Sequence, residues 1–207
     1  QEKYMKNDRV QIVSNRMVYK QSGNRLNVES LLLLVNKSKQ PIDSPILYLN
    51  PGLGIVSLTS EGQELAYNRE GHVVVMNRKM ECGEELPLRV EYEGTIDEAI
   101  CYLELSDEEY HNTRMGVLPF SADPSGKMPK TRHELYSNGG RFAHVGNKYT
   151  ILLPECLWYL SAVPPVNLQM PSMKDFDFTD YQLEVEGQEG KAVISQGCME
   201  RNVKGIS

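Results

Sequence analysis

No apolar run in this sequence is long enough to cross a bilayer as a helix. The longest, Leu31 to Val35, falls far short of the roughly 20 residues that a span needs. Positive charge is also scarce: 22 Lys and Arg against 28 Asp and Glu leave a net charge of -6. That balance argues against nonspecific nucleic-acid binding, which needs a basic footprint, and against a polybasic membrane anchor. The four cysteines, Cys82, Cys101, Cys156 and Cys198, include no CxxC pair. They do not suggest a disulfide framework and read as buried free thiols. Gln1-Glu2-Lys3 opens a polar stretch rather than a signal peptide. Residue 1 is not Met, so flanking sequence is expected.

Catalytic motifs are missing as well. His133-Glu134 could begin a zinc-protease helix, but Leu135, Tyr136 and Ser137 follow, without a second histidine one turn on. Two histidines on one helical face are what that metal geometry requires. His144 lies beyond Gly139-Gly140 and cannot supply it, so these read as two loop histidines. Glu104, Asp107, Glu108 and Glu109 could attract a cation, but they lack the glycine and alternating oxygens of a calcium loop. A solvated helix start fits them better, with Ser106 as cap and Glu109 three residues on. Ser125-Gly126-Lys127 resembles a phosphate loop but lacks the earlier glycine. No GxSxG elbow occurs, and neither a serine nor a cysteine sits in a nucleophile context. No cofactor is implied.

What the sequence does contain is short strands separated by turns. Hydrophobic residues make up 40% of the 207 residues, enough for a sizeable core. Val10 to Lys20 reads as a strand whose alternation breaks near Asn15. Ser22-Gly23-Asn24 turns into Leu26 to Val35, which becomes apolar on both faces from Leu31 and is expected to be covered on both sides there. Lys37 to Pro45 is a loop, and Asn50-Pro51-Gly52 is a turn. Leu53 to Thr59, Glu64 to Asn68 and His72 to Arg78 follow as strands. Leu86, Leu88, Val90 and Tyr92 alternate with Arg89, Glu91 and Glu93, which predicts one core face and one solvent face. Residues 116 to 147 show little periodicity and read as a surface excursion. Order resumes at Lys148 to Leu153. Tyr181, Leu183 and Val185 form a half-buried strand, turned at Gln188 to Gly190 into Ala192 to Ser195. The whole predicts an all-β chain: one antiparallel β-sandwich or saddle-like domain over residues 1–207, with a loop-rich insertion at about 99–147 and one short helix.

Leu157-Trp158-Tyr159-Leu160 with Pro164-Pro165 is the most distinctive cluster and holds the only tryptophan. Trp158, Tyr159, Pro164 and Pro165 are the candidate interface or ligand surface. They could form an aromatic platform for a sugar, a peptide or a protein. They could equally be core packing where a sheet ends.

Two segments carry a family resemblance. Leu49-Asn50-Pro51-Gly52-Leu53, Gly62 to Leu65, Gly83 to Leu88, Val90 to Gly94 and Phe178 to Gly197 match, in order, motifs of one domain type. Ile46 to Gly94 together with Tyr149 to Gly197 resembles the N-terminal β domain of aminopeptidase N-like zinc metallopeptidases. Leu153-Pro154-Glu155 and Trp158-Tyr159 look closer to the form found in ABC-transporter permease-like membrane proteins. The resemblance covers roughly half the chain. It implies a sandwich fold, a neighbouring peptidase-like or permease domain in the same polypeptide, and a membrane-bound parent. It does not imply hydrolysis here. The family's zinc motif and GxMEN loop are absent, and so is its acidic pair, expected near Leu153 to Pro164, where the sequence reads Leu-Pro-Glu-Cys-Leu-Trp-Tyr-Leu. The expected role is therefore noncatalytic, in interdomain packing or substrate access, with no direct membrane insertion and no nucleic acid. The alternative is a stand-alone peptide- or glycan-binding module.

Overall fold

The structure, a computed structural model, describes residues 4, 9–97, 100, 143–165, 177–187, 192–195 and 198. The helix start at Ser106, the Ser125-Gly126-Lys127 loop, His133, Cys101 and the turn at Gln188 to Gly190 lie outside those residues. So does most of the expected insertion.

Eleven strands form among the described residues: β1 (Gln11–Ser22), β2 (Arg25–Val35), β3 (Ile46–Tyr48), β4 (Leu53–Ser60), β5 (Gln63–Glu64), β6 (Tyr67–Glu70), β7 (Val73–Met76), β8 (Glu85–Gly94), β9 (Ala143–Val145), β10 (Thr150–Leu152) and β11 (Asp180–Glu186). They make a six-stranded sheet in the order β11-β1-β2-β8-β4-β5, a three-stranded sheet in the order β3-β7-β6, and a β9–β10 ribbon. The chain is all-β, with sandwich-like packing of the sheets on one core. That core joins Met17, Leu26, Leu34, Leu88 and Tyr92 of the large sheet to Leu47, Val74 and Met76 of the small one.

The alternating strand behaves as its sequence predicts. Leu86, Leu88, Val90 and Tyr92 are buried, while Arg89 lies outside and pairs with Glu29 at 2.9 Å and Glu91 at 3.5 Å. The break near Asn15 is a β-bulge. The register shifts between Ile12 and Ser14, so Val13 is the extra residue and the inward parity passes from Ile12 to Asn15, Met17 and Tyr19. Buried Asn15 accepts a 2.7 Å hydrogen bond from the Ser30 hydroxyl across the strand pair.

This gives a graded stability series. Leu88→Ala and Tyr92→Ala should each cost about 2–5 kcal/mol, as large-to-small core changes do. Arg89→Ala should stay within about 0.5 kcal/mol, because its ion pairs are exposed. Tyr92→Phe should be neutral or stabilising. The Tyr92 hydroxyl is buried without a hydrogen-bond partner among the described residues, and burial pushes its pKa well up. Removing such a group relieves a desolvation cost of about 1–3 kcal/mol. Urea midpoints would rank the four variants, and a loss in Tyr92→Phe would mean that the hydroxyl is bonded after all.

Four expectations need correction. Leu31 is 43% exposed, so the outer face of β2 is open at Leu31 and becomes covered only farther along, where Leu33 is half-buried and Val35 is buried. Leu31 lies between Arg16 and Arg89 in the strand register, on the charged side of the sheet. The expected strand from Glu64 to Asn68 is two short strands in different sheets: β5 pairs with β4 and β6 pairs with β7. Residues 192–195 are not a strand, and β11 joins β1 in parallel, from Ser14 opposite Asp180 to Lys20 opposite Glu186. Finally, among the described cysteines, Cys82 and Cys198 are exposed free thiols and Cys156 is buried.

Candidate functional site

The Trp158 cluster sits where the ribbon, β1 and the small sheet meet. Leu153 leads into a 3-10 turn at Pro154–Cys156, which ends at Leu157 in the left-handed region with φ 51°. That reversal lets Ser161 bridge to Tyr48, donating and accepting at 3.0 and 2.7 Å. Trp158 is only 6% exposed and meets Tyr19 edge-on, with ring centroids 6.1 Å apart. Tyr159 is half-buried and lies 5.0 Å from Trp158 and 5.8 Å from Tyr181. Pro164 and Pro165 are half-buried. The cluster thus brings together Tyr19, Trp158, Tyr159 and Tyr181, with one edge of Tyr181 open to solvent. Burial raises the phenol pKa of Tyr19 to about 12 and raises those of Tyr159 and Tyr181. It pushes the Cys156 thiol up to about 11. None of these groups is poised to ionise near neutral pH, as a nucleophile or general base would be.

The buried amides hold the backbone. Asn50 is fully buried. Its carbonyl oxygen accepts from the amides of Gly52 and Asp97, each at 2.9 Å. Its amide nitrogen donates to the carbonyls of Asp97 at 2.9 Å and Cys156 at 2.7 Å. Two donors and two acceptor sites are all that an asparagine side chain has. Arg69 reaches the same turn. Its Nη2 donates to the Asn50 carbonyl at 2.6 Å, its Nη1 to that of Leu53, and its Nε to that of Gly71 at 2.9 Å. Burial lowers the pKa of this guanidinium. It lowers that of nearby His72 too, whose ring stacks on Tyr48 with centroids 6.0 Å apart. Sequence reasoning identified a turn at Asn50-Pro51-Gly52 but missed the hub, because its acceptors lie about fifty and about a hundred residues away.

The β9–β10 ribbon presents a different surface. Its inner side is tied down by Gln21, which accepts from the Tyr19 hydroxyl at 3.0 Å and the Thr150 hydroxyl at 2.8 Å. The Gln21 amide donates to the carbonyls of Gly23 at 2.7 Å and Gly146 at 3.2 Å. Leu152 packs inward against the core. The alternate positions point outward: Tyr149, Ile151 and Leu153 are 54%, 43% and 41% exposed. His144 lies opposite Ile151 and 4.4 Å from the Tyr149 ring. A period-two row of large apolar side chains therefore faces outward on a ribbon whose other side is fastened to the domain. In the sequence it was legible only as regular structure at Lys148 to Leu153.

Among the described residues, no group of three or more His, Cys, Asp or Glu side chains could hold a metal ion. No helix among them is long and apolar enough to cross a membrane.

No protein-family model matches the sequence, and no curated protein matches it. Among solved structures, the chain is similar to an M1 zinc metallopeptidase from Deinococcus radiodurans, at 18% identity and TM-score 0.40, over 47% of this chain and 23% of that one. A mutant of that enzyme bound to a Tyr-Ser-Ala substrate is similar at 18% identity and TM-score 0.39, over 43% and 21%. The native leukotriene A4 hydrolase of Saccharomyces cerevisiae is similar at 14% identity and TM-score 0.35, over 42% and 15%. The chain spans about a fifth of the length of the metallopeptidases it is similar to.

Proposed function

We propose that this chain is a noncatalytic β domain of a larger protein and that it packs against a neighbouring domain of the same polypeptide. The observation that carries this reading is the outward row of Tyr149, Ile151 and Leu153. Large apolar side chains repeated along one side of the ribbon and its flanks are costly to leave in water and mark a surface that another surface covers. Asn50, Gln21 and Arg69 support the same reading, since their polar groups are engaged in hydrogen bonds within the domain. The burial of Trp158 favours packing over an aromatic platform, and so over a stand-alone peptide- or glycan-binding module. The sequence resemblance around Leu153-Pro154-Glu155 and Trp158-Tyr159 supports a membrane-bound, permease-like parent, in which the domain shapes interdomain packing or substrate access.

The test is a blot of membrane and soluble fractions from source cells with an antibody to this domain. The expected result is a membrane-associated band far larger than 23.5 kDa. A soluble band at 23.5 kDa would overturn the proposal and favour the stand-alone module.

A further inference from the structure

We draw no further inference here: the strongest candidate, the outer edge of strand β11 with Glu184 and Glu186 on its solvent face, carries nothing because no feature among the described residues shows what would pair with it.

Discussion

Gly94→Ala should be among the most damaging single substitutions in this domain, costing about 3–5 kcal/mol. Gly94 ends β8 with φ at +149°, a conformation that side-chain-bearing residues rarely adopt. A Cβ there would fall 2.1 Å from the Gly52 carbonyl oxygen and 3.1 Å from the Leu53 Cα. The reciprocal contact is as close: a Cβ on Gly52 would fall 2.0 Å from the Thr95 carbonyl oxygen. Both obstacles are backbone, so no side chain can swing aside. The clash could be relieved only by parting β4 from β8, which would break the 3.2 Å bond from the Thr95 amide to the Gly52 carbonyl. Gly52→Ala should therefore be comparably damaging. Gly54→Ala is the control, because its Cβ would meet only the Glu93 carbonyl oxygen at an ordinary 3.7 Å. It should change stability by less than about 1 kcal/mol. Denaturant midpoints measure all three, and equal effects for Gly94→Ala and Gly54→Ala would refute the close approach.

Asn50→Leu should cost about 3–5 kcal/mol, although it preserves side-chain size. It leaves the Gly52 amide, the Asp97 amide and carbonyl, and the Cys156 carbonyl without their side-chain partner. Each buried group so orphaned costs about 1–3 kcal/mol, reduced where water can enter. Asn50→Asp separates shape from hydrogen bonding. It replaces the amide's two donors with a carboxyl group facing two carbonyl oxygens. The buried carboxyl would hold its proton while the unfolded chain releases one. The folded state then binds more protons, and stability falls as pH rises above about 4. Urea titrations of the two variants at pH 4 and pH 7 provide the test. A pH-independent Asn50→Asp, as stable as the parent, would show that the site is wet and the hub unimportant.

The fold was most legible where one strand faces core on one side and water on the other. In β8 the alternation names the buried residues without further information. The disturbed alternation at Asn15 reports a bulge, since one extra residue reverses the side-chain parity. Leu31 misled because apolarity on both faces resembles burial on both faces, whereas the structure leaves this leucine beside Arg16 and Arg89. The end of the chain misled for a topological reason. The turn at Gln188 to Gly190 suggests a local hairpin, but residues 192–195 are not a strand and β11 aligns in parallel with β1, more than 160 residues earlier. Local turn chemistry carries no information about so distant a pairing. The same limit hid the site. The Trp158 cluster stood out by composition, yet its contact with Tyr19 and the fastening of the β9–β10 ribbon by Gln21 both come from β1, far away in the sequence.

The most direct measurement is photo-cross-linking from position 151 in the full protein as source cells make it, with position 89 on the charged face as reference. If Ile151 lies in an interdomain contact, mass spectrometry of the digest will find it joined to a peptide from another domain of the same polypeptide, and position 89 will give far less adduct. Equal, near-background adducts from both positions would show that the Tyr149–Ile151–Leu153 row faces solvent and that the packing role is wrong.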